Sequence, residues 1–166
     1  MKNIKKLFIG ITVIFLFIAH PSFAQKENDI NRKFAETWIS NLNSHDTVAI
    51  ANMYADDAYI ESPNWEEVKR GPSAIREIYK RYFISSPDLK FTIINIITND
   101  TAIVIEYYSS GTMQNLEGNA PEYMRGKKYT LKNCARMNMK NGKITEQRYY
   151  FDQVSFLKQV GFFDQK

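Results

Sequence analysis

The hydrophobic pattern changes period part-way along the chain. Ile30, Phe34, Trp38 and Leu42 recur at i+4 with Ala35 and Ile39 beside them, which predicts an amphipathic helix over about residues 27–44. Asn43-Ser44-His45 ends it, and Asp46 reads as the N-cap of a second, shorter helix through Tyr54. Asp56 and Asp57 follow as an acidic turn. Ala58–Glu61 is a short strand stopped by Pro63, and Asn64–Arg70 is a charged loop. Gly71-Pro72 opens a third helix with Ile75, Ile78, Tyr79, Tyr82 and Phe83 on its apolar face, ended by Ser86-Pro87.

From there the period is two. Leu89–Thr98 is rich in β-branched residues, Asn99-Asp100 turns into Thr101–Met113, and a loop spans Gln114–Gly126. Lys128–Lys140 alternates, with Tyr129, Leu131, Ala135, Met137 and Met139 on one face. Asn141-Gly142 is the strongest hairpin signal, and Lys143–Phe151 returns. Asp152 caps a last short helix, Gln153–Val160, closed by Gly161. Helices first and a meander afterwards give an α+β domain with three N-terminal helices on an antiparallel sheet and a short C-terminal helix. Within Leu89–Ile97, Leu89, Phe91, Ile93 and Ile97 take one face and Ile94 and Ile96 the other. A strand apolar on both faces is covered on both sides, so a homodimer is expected.

Composition alters this picture at the N-terminus. Lys2, Lys5 and Lys6 precede the apolar run Leu7–Ala19, and Ser22-Phe23-Ala24 places small residues where a signal peptidase reads them. The run is about 13 residues, short of the ~20 that span a bilayer. Residues 1–24 therefore read as a signal peptide and 25–166 as a single domain. The product is expected in the periplasm or secreted, with no stable membrane anchor once the signal is removed. Removal takes three lysines and no acid from 22 basic and 18 acidic residues, so the net charge falls from +4 to +1. No basic stripe remains to argue for nucleic acid. The single cysteine, Cys134, excludes an intrachain disulfide and reads as a small buried hydrophobe. There is no His pair at i+4, no Cys pair and no phosphate-cradling Gly loop, so neither metal nor cofactor is implied.

Five pieces in order and spacing carry a family resemblance: Leu42-Asn43-Ser44-His45-Asp46, Tyr54-Ala55-Asp56-Asp57-Ala58, Gly71-Pro72-Ser73-Ala74-Ile75, Asn141-Gly142-Lys143-Ile144 and Gln159-Val160-Gly161-Phe162. From about Ile30 to Gly161 the chain resembles the nuclear-transport-factor-two-like cone, and within it the SnoaL-like proteins and ketosteroid isomerases. The resemblance implies a cone-shaped barrel in which the three helices close one side of a curved sheet around an apolar pocket. By the same resemblance, Trp38 stands where the isomerases place an oxyanion-hole tyrosine and Ser62 where they place the general-base aspartate. Ala135 stands at their protonated aspartate, which is also a histidine of the SnoaL cyclases, and Tyr149 at the cyclases' acid/base aspartate. Tyr79 agrees with a supporting tyrosine of the isomerases. An isomerase needs a carboxylate to move the proton and donors to hold the enolate, so both borrowed mechanisms look disabled here.

The residues themselves give the lining. A type I hairpin turn with Gly142 as a bulge pairs Ala135 near Gln147 and Asn133 near Tyr149, whereas a two-residue turn places Glu146 and Arg148 with Ala135. The first register agrees with the family's inward positions. The expected ligand-binding set is then Trp38, Ser62, Ile78, Tyr79, Ile105, Tyr107, Asn133, Met137, Gln147 and Tyr149, suited to a small hydrophobic or aromatic molecule. The opposing expectation is that these side chains simply fill the cone. Tyr107, Tyr149 and Glu61 are the weak catalytic candidates. Alternation turns Glu61 to the outer face, and it reaches the pocket mouth only if Pro63 bends the strand. His45 reads as a turn residue, Asp152 as a cap, and Glu146 with Arg136 as a cross-strand ion pair. Three functions follow: a binding domain with no assigned catalysis, an isomerase, cyclase or lyase-type enzyme, or an interaction module using the outer sheet.

Overall fold

Side-chain amides seat the first helix. α1 (Phe23–Asn43) turns Asn31, Ala35, Trp38, Ile39 and Leu42 inward. Asn31 Nδ2 donates to the Asn99 carbonyl at 2.7 Å, so a polar residue holds the inward position in the second turn and Ile30 is 58% exposed, contrary to the i+4 reading. At the other end Asn43 imitates a strand partner. Its Nδ2 donates to Phe91 O at 2.9 Å and its Oδ1 accepts from Phe91 N at 2.8 Å. The computed structural model describes residues 23–63, 67–116 and 120–165. The expected signal segment lies outside the described residues except for Phe23 and Ala24, the first residues of α1, and 64–66 of the charged loop also lie outside.

His45 takes φ 56° in the turn after α1. Its Nε2 lies 2.9 Å from Leu89 O and its ring stacks on Phe83 with centroids 4.1 Å apart, a structural role as expected. Asp46 caps α2 (Thr47–Ala51), accepting from Val48 N and Ala49 N. The helix is shorter than expected, because the chain is already extended at Tyr54. β1 (Tyr54–Glu61) therefore starts four residues earlier than the sequence reading gave. Asp56 and Asp57 are not a turn. They occupy the irregular stretch of β1 where its register against the neighbouring strand shifts between Tyr54 and Tyr59, and both are exposed.

β2 (Lys69–Arg70) falls inside the expected loop and pairs with β1, placing the Arg70 guanidinium 5.3 Å from the Tyr59 ring centre. Gly71 at φ 79°, ahead of Pro72, then opens α3 (Gly71–Ser85), as the sequence indicated. β3 (Lys90–Thr98), β4 (Ala102–Thr112), β5 (Lys128–Lys140) and β6 (Lys143–Phe151) complete a six-stranded sheet in the order β2-β1-β6-β5-β4-β3. Its neighbours are antiparallel except β1 and β6, which run parallel and are joined by a long crossover through β2, α3 and the strands β3 to β5. α1 packs on β3 and β4, α3 on β1, and α2 on both helices. α4 (Gln153–Gln159), capped by Asp152, packs on β5.

Bulges reset two strands. In β3 the register shifts between Ile93 and Asn95, so Phe91 and Ile96 both point inward while Ile94 and Ile97 are 40% and 60% exposed. The expected division of that strand, with Ile97 beside Phe91 and Ile96 opposite, is corrected by this extra residue. In the β5–β6 hairpin Asn141 and Gly142 have φ 52° and 71°, a two-residue turn of the primed kind. A bulge then falls between the Lys140–Lys143 end and the Asn138–Glu146 pair. Ala135 thus faces Tyr149, Met137 faces Gln147 and Asn133 faces Phe151. Neither expected register is the real one, but the inward set of β6 is as expected.

Candidate functional site

The cone opens at one end into a cavity of about 730 Å³. α3 supplies Ile78, Tyr79 and Tyr82, β3 supplies Phe91, and β4 supplies Tyr107 and Ser109. β5 supplies Tyr129, Leu131 and Asn133, β6 supplies Tyr149 and Phe151, and α4 closes the wall with Phe156. Ser62, Glu67, Lys69 and Arg81 stand at the mouth. Strand alternation turns every second residue of β4, β5 and β6 inward, and towards the mouth those positions are Tyr107, Ser109, Tyr129, Leu131, Asn133, Tyr149 and Phe151, so the lining is mainly aromatic with a few small polar groups.

Of the expected lining, Ser62, Ile78, Tyr79, Tyr107, Asn133 and Tyr149 meet on this cavity. Trp38, Ile105, Met137 and Gln147 do not reach it. They are fully buried in the packed apex behind it, where α1 closes on β3 and β4. The cone is thus filled at its apex and hollow at its mouth, so each of the two opposed expectations holds for one end. Tyr82, Phe91, Tyr129 and Phe156 were not foreseen as lining. Tyr82 did carry a signal, being on the apolar face of α3 yet at its edge. The other three depend on how β3, the long β4–β5 loop and α4 wrap the mouth, which spacing does not encode.

Two polar clusters mark the cavity floor. In the first, Asn133 Nδ2 donates to Ser109 Oγ at 2.9 Å and to Leu131 O at 3.0 Å. Both amide hydrogens are thereby used and the orientation of Asn133 is fixed. The second is a chain of phenols. Tyr149 lies 2.9 Å from Tyr79 and Tyr79 lies 3.2 Å from Tyr54, with Tyr107 on the cavity wall beside Tyr149. Tyr54 donates to Gln147 Oε1 and receives the Trp38 indole N–H at 3.4 Å. Burial pushes Tyr54, Tyr79, Tyr107 and Tyr149 well above the usual phenol value, so all four are neutral at physiological pH. Tyr54 was missed as a site residue because it reads as the end of the second helix, whereas it opens β1.

Glu61 lies outside the cavity. Its carboxylate pairs with Arg148 Nε at 3.1 Å, and Arg148 also meets Glu146 at 2.8 Å. The expected Arg136–Glu146 pair, at 3.1 Å, extends this row along the outer face. A carboxylate held by a guanidinium on the convex side is badly placed to take a proton from a molecule inside the cone. Cys134 is half-buried on that same face opposite Glu106, not in the core, and burial raises its thiol pKa. Among the described residues no group of three His, Cys, Asp or Glu side chains is placed to hold a metal ion, and no helix is long and apolar enough to cross a membrane.

A family model described as SnoaL-like domain matches residues 35–147. The chain is similar in structure to a putative SnoaL-like polyketide cyclase from Jannaschia sp. CCS1, with a TM-score of 0.71 and 11% identity over 80% of this chain and 92% of that one. It is similar to a phenazine biosynthesis-related protein from Pseudomonas aeruginosa, with a TM-score of 0.70 and 16% identity over 88% and 90% of the two chains. A hypothetical protein with a ketosteroid isomerase-like fold from Catenulispora acidiphila, solved with trimethylamine, gives a TM-score of 0.66 and 16% identity over 78% and 92%. No curated protein matches the chain.

Proposed function

The chain belongs to the SnoaL-like domain family, and on that premise we propose that its cone binds a small apolar or aromatic molecule bearing an oxygen, held by rings at the wall and by hydroxyls at the floor. The observation that carries this reading is the cavity of about 730 Å³ lined by Tyr82, Phe91, Tyr129, Leu131 and Phe156 above the Tyr79–Tyr149 pair. Its size suits a molecule of two or three fused rings. No catalytic step is assigned, because the inward positions hold neutral phenols and amides. Titration calorimetry with 2-acetonaphthone should show saturable binding at one site. Leu131→Trp, which fills the cavity from a wall position, should weaken it by about 100-fold while the circular dichroism spectrum is unchanged. Equal binding by both proteins would place the ligand elsewhere and sink the reading.

An enzyme of the same fold is the second reading, favoured by one observation: Tyr107 and Tyr149 bring two hydroxyls to the floor of the cavity. An isomerase, cyclase or lyase-type reaction there would use them to hold a developing oxyanion. The solved structures with similar folds include an epoxide hydrolase from M. tuberculosis.

Two further features complete the proposal. The outer sheet face carries Ile94, Ile97 and Tyr108, the last 45% exposed, with Val104 half-buried beside them. This patch fits a second copy of the chain. Light scattering should give twice the chain mass, and Ile97→Lys with Tyr108→Glu should give the single-chain mass at micromolar concentration. A wild-type monomer would dismiss the dimer. Export is supported by the Lys-rich start, the apolar run and Ser22-Phe23-Ala24, and N-terminal sequencing of the exported protein should begin at Gln25.

A further inference from the structure

Gln147 sits at the closed end of the phenol chain, fully buried, with its Oε1 accepting from Tyr54 and its Nε2 without a partner. An orphaned buried N–H is rarer in folded proteins than an under-used carbonyl. Counting protons shows what this orientation imposes, since each phenol has one hydrogen to give and two lone pairs to receive with. Tyr54 spends its hydrogen on Gln147, so Tyr79 must give its own to Tyr54, and Tyr149 must give its own to Tyr79. The hydrogens of these three phenols then point away from the cavity, and Tyr149 offers a ligand only a lone pair.

We propose that the Gln147 amide is a positioning residue that sets the direction of this chain, and that its reversal turns the Tyr149 hydroxyl at the cavity floor from an acceptor into a donor. In the reversed amide Nε2 donates to Tyr54 O, whose two lone pairs serve Gln147 and Trp38. Tyr54 then gives its hydrogen to Tyr79, Tyr79 to Tyr149, and Tyr149 to an oxygen in the cavity. No proton leaves any residue; each hydroxyl rotates, and the group left under-used at the apex is a carbonyl in place of an N–H. Asn133 supplies the contrast on the same floor, because both of its amide hydrogens are engaged and reversal would lose them. The inference rests on the ligand reading above and names what recognises the ligand's oxygen: a carbonyl selects the reversed state, whereas a donor such as a phenol selects the state seen.

The test compares 2-acetonaphthone with 2-isopropenylnaphthalene, which replaces C=O by C=CH₂ at nearly the same shape. Wild type should bind the ketone about tenfold more tightly, the worth of one hydrogen bond, and Tyr149→Phe should bring the ratio to about one. Gln147→Met, which neither donates nor accepts strongly, should keep the ratio at or above the wild-type value. Gln147→Glu gives a handle on direction. The titratable groups around position 147 are Tyr54 of β1, Tyr79 of α3, Tyr107 of β4 and Tyr149 of β6, with Trp38 of α1 and Met137 of β5 beside them. The four phenols stay neutral between pH 5 and pH 9, so a change in that range belongs to the introduced carboxyl. Protonated, it donates to Tyr54 and the ketone preference should persist at pH 5; ionised, it accepts only, and the preference should be gone by pH 9. A Gln147→Glu ratio flat across that range and equal to wild type, while infrared spectroscopy shows the carboxyl ionising, overturns the inference and leaves the ligand reading standing. If Gln147→Glu does not fold or does not ionise by pH 9, a Gln147→Met ratio of about one overturns it instead. A wild-type ratio of one overturns both.

Discussion

Trp38→Ala is expected to destabilise the protein by about 3–5 kcal/mol in urea unfolding, the range for truncating a large aromatic side chain in a core. The indole is fully buried where α1 meets β4, edge-on to Tyr107 with ring centres 5.9 Å apart and donating to Tyr54 at 3.4 Å. Truncation removes packing on every side and leaves Tyr54 with one fewer donor. The site cannot collapse cheaply, because Tyr107 also packs on Phe91 and Tyr54 is tied to Tyr79 and Gln147. A loss below about 1 kcal/mol would mean that the indole faces open space, as a ligand-lining residue would. The same substitution should change ligand affinity far less than Leu131→Trp does, because Trp38 lies behind the cavity wall.

The sequence reading placed Trp38 on that wall for a reason that applies to much of this fold. Local signals with one physical cause were legible. The helix formed by Ala35, Trp38, Ile39 and Leu42, the caps at Asp46 and Asp152, the Gly71-Pro72 start and the two long hairpin strands are each set by neighbouring residues, and each is in place. Family resemblance added the cone. What spacing does not encode is where an extra residue slips into a strand. The bulge at Ile93–Asn95 moved Ile96 inward and Ile97 outward, and the one before Glu146 shifted the hairpin register. Alternation has a period of two, so each insertion inverts the faces beyond it. Depth was equally unreadable. Trp38, Met137 and Tyr149 all point inward, but whether an inward side chain meets a ligand or another side chain depends on how far along the cone it sits.

That distinction also decides what an acid would do at the position where the isomerases keep one. Ala135 is fully buried opposite Tyr149, with Ile105 as its partner on the other side. Ala135→Asp places a carboxyl in this apex, where burial disfavours the ionised form and raises its pKa above the ~3.9 of an unfolded aspartate. The folded protein then holds its proton more tightly than the unfolded chain does. Below pH 4 both states are protonated and the cost is that of burying a neutral acid. As the pH rises from about 4 towards the raised folded value, stability falls, and a shift of about 3 units corresponds to ~4 kcal/mol lost by pH 8. Urea unfolding of Ala135→Asp at pH 4 and pH 8, beside wild type at both, measures that difference directly. A stability difference that does not change with pH would mean that water or a positive group reaches position 135 and that the apex is not dry. With the expected slope, the apex tolerates a neutral hydrogen-bonding group and not a charge, which is the environment in which a chain of phenols ending on Gln147 can point one way or the other without ever ionising.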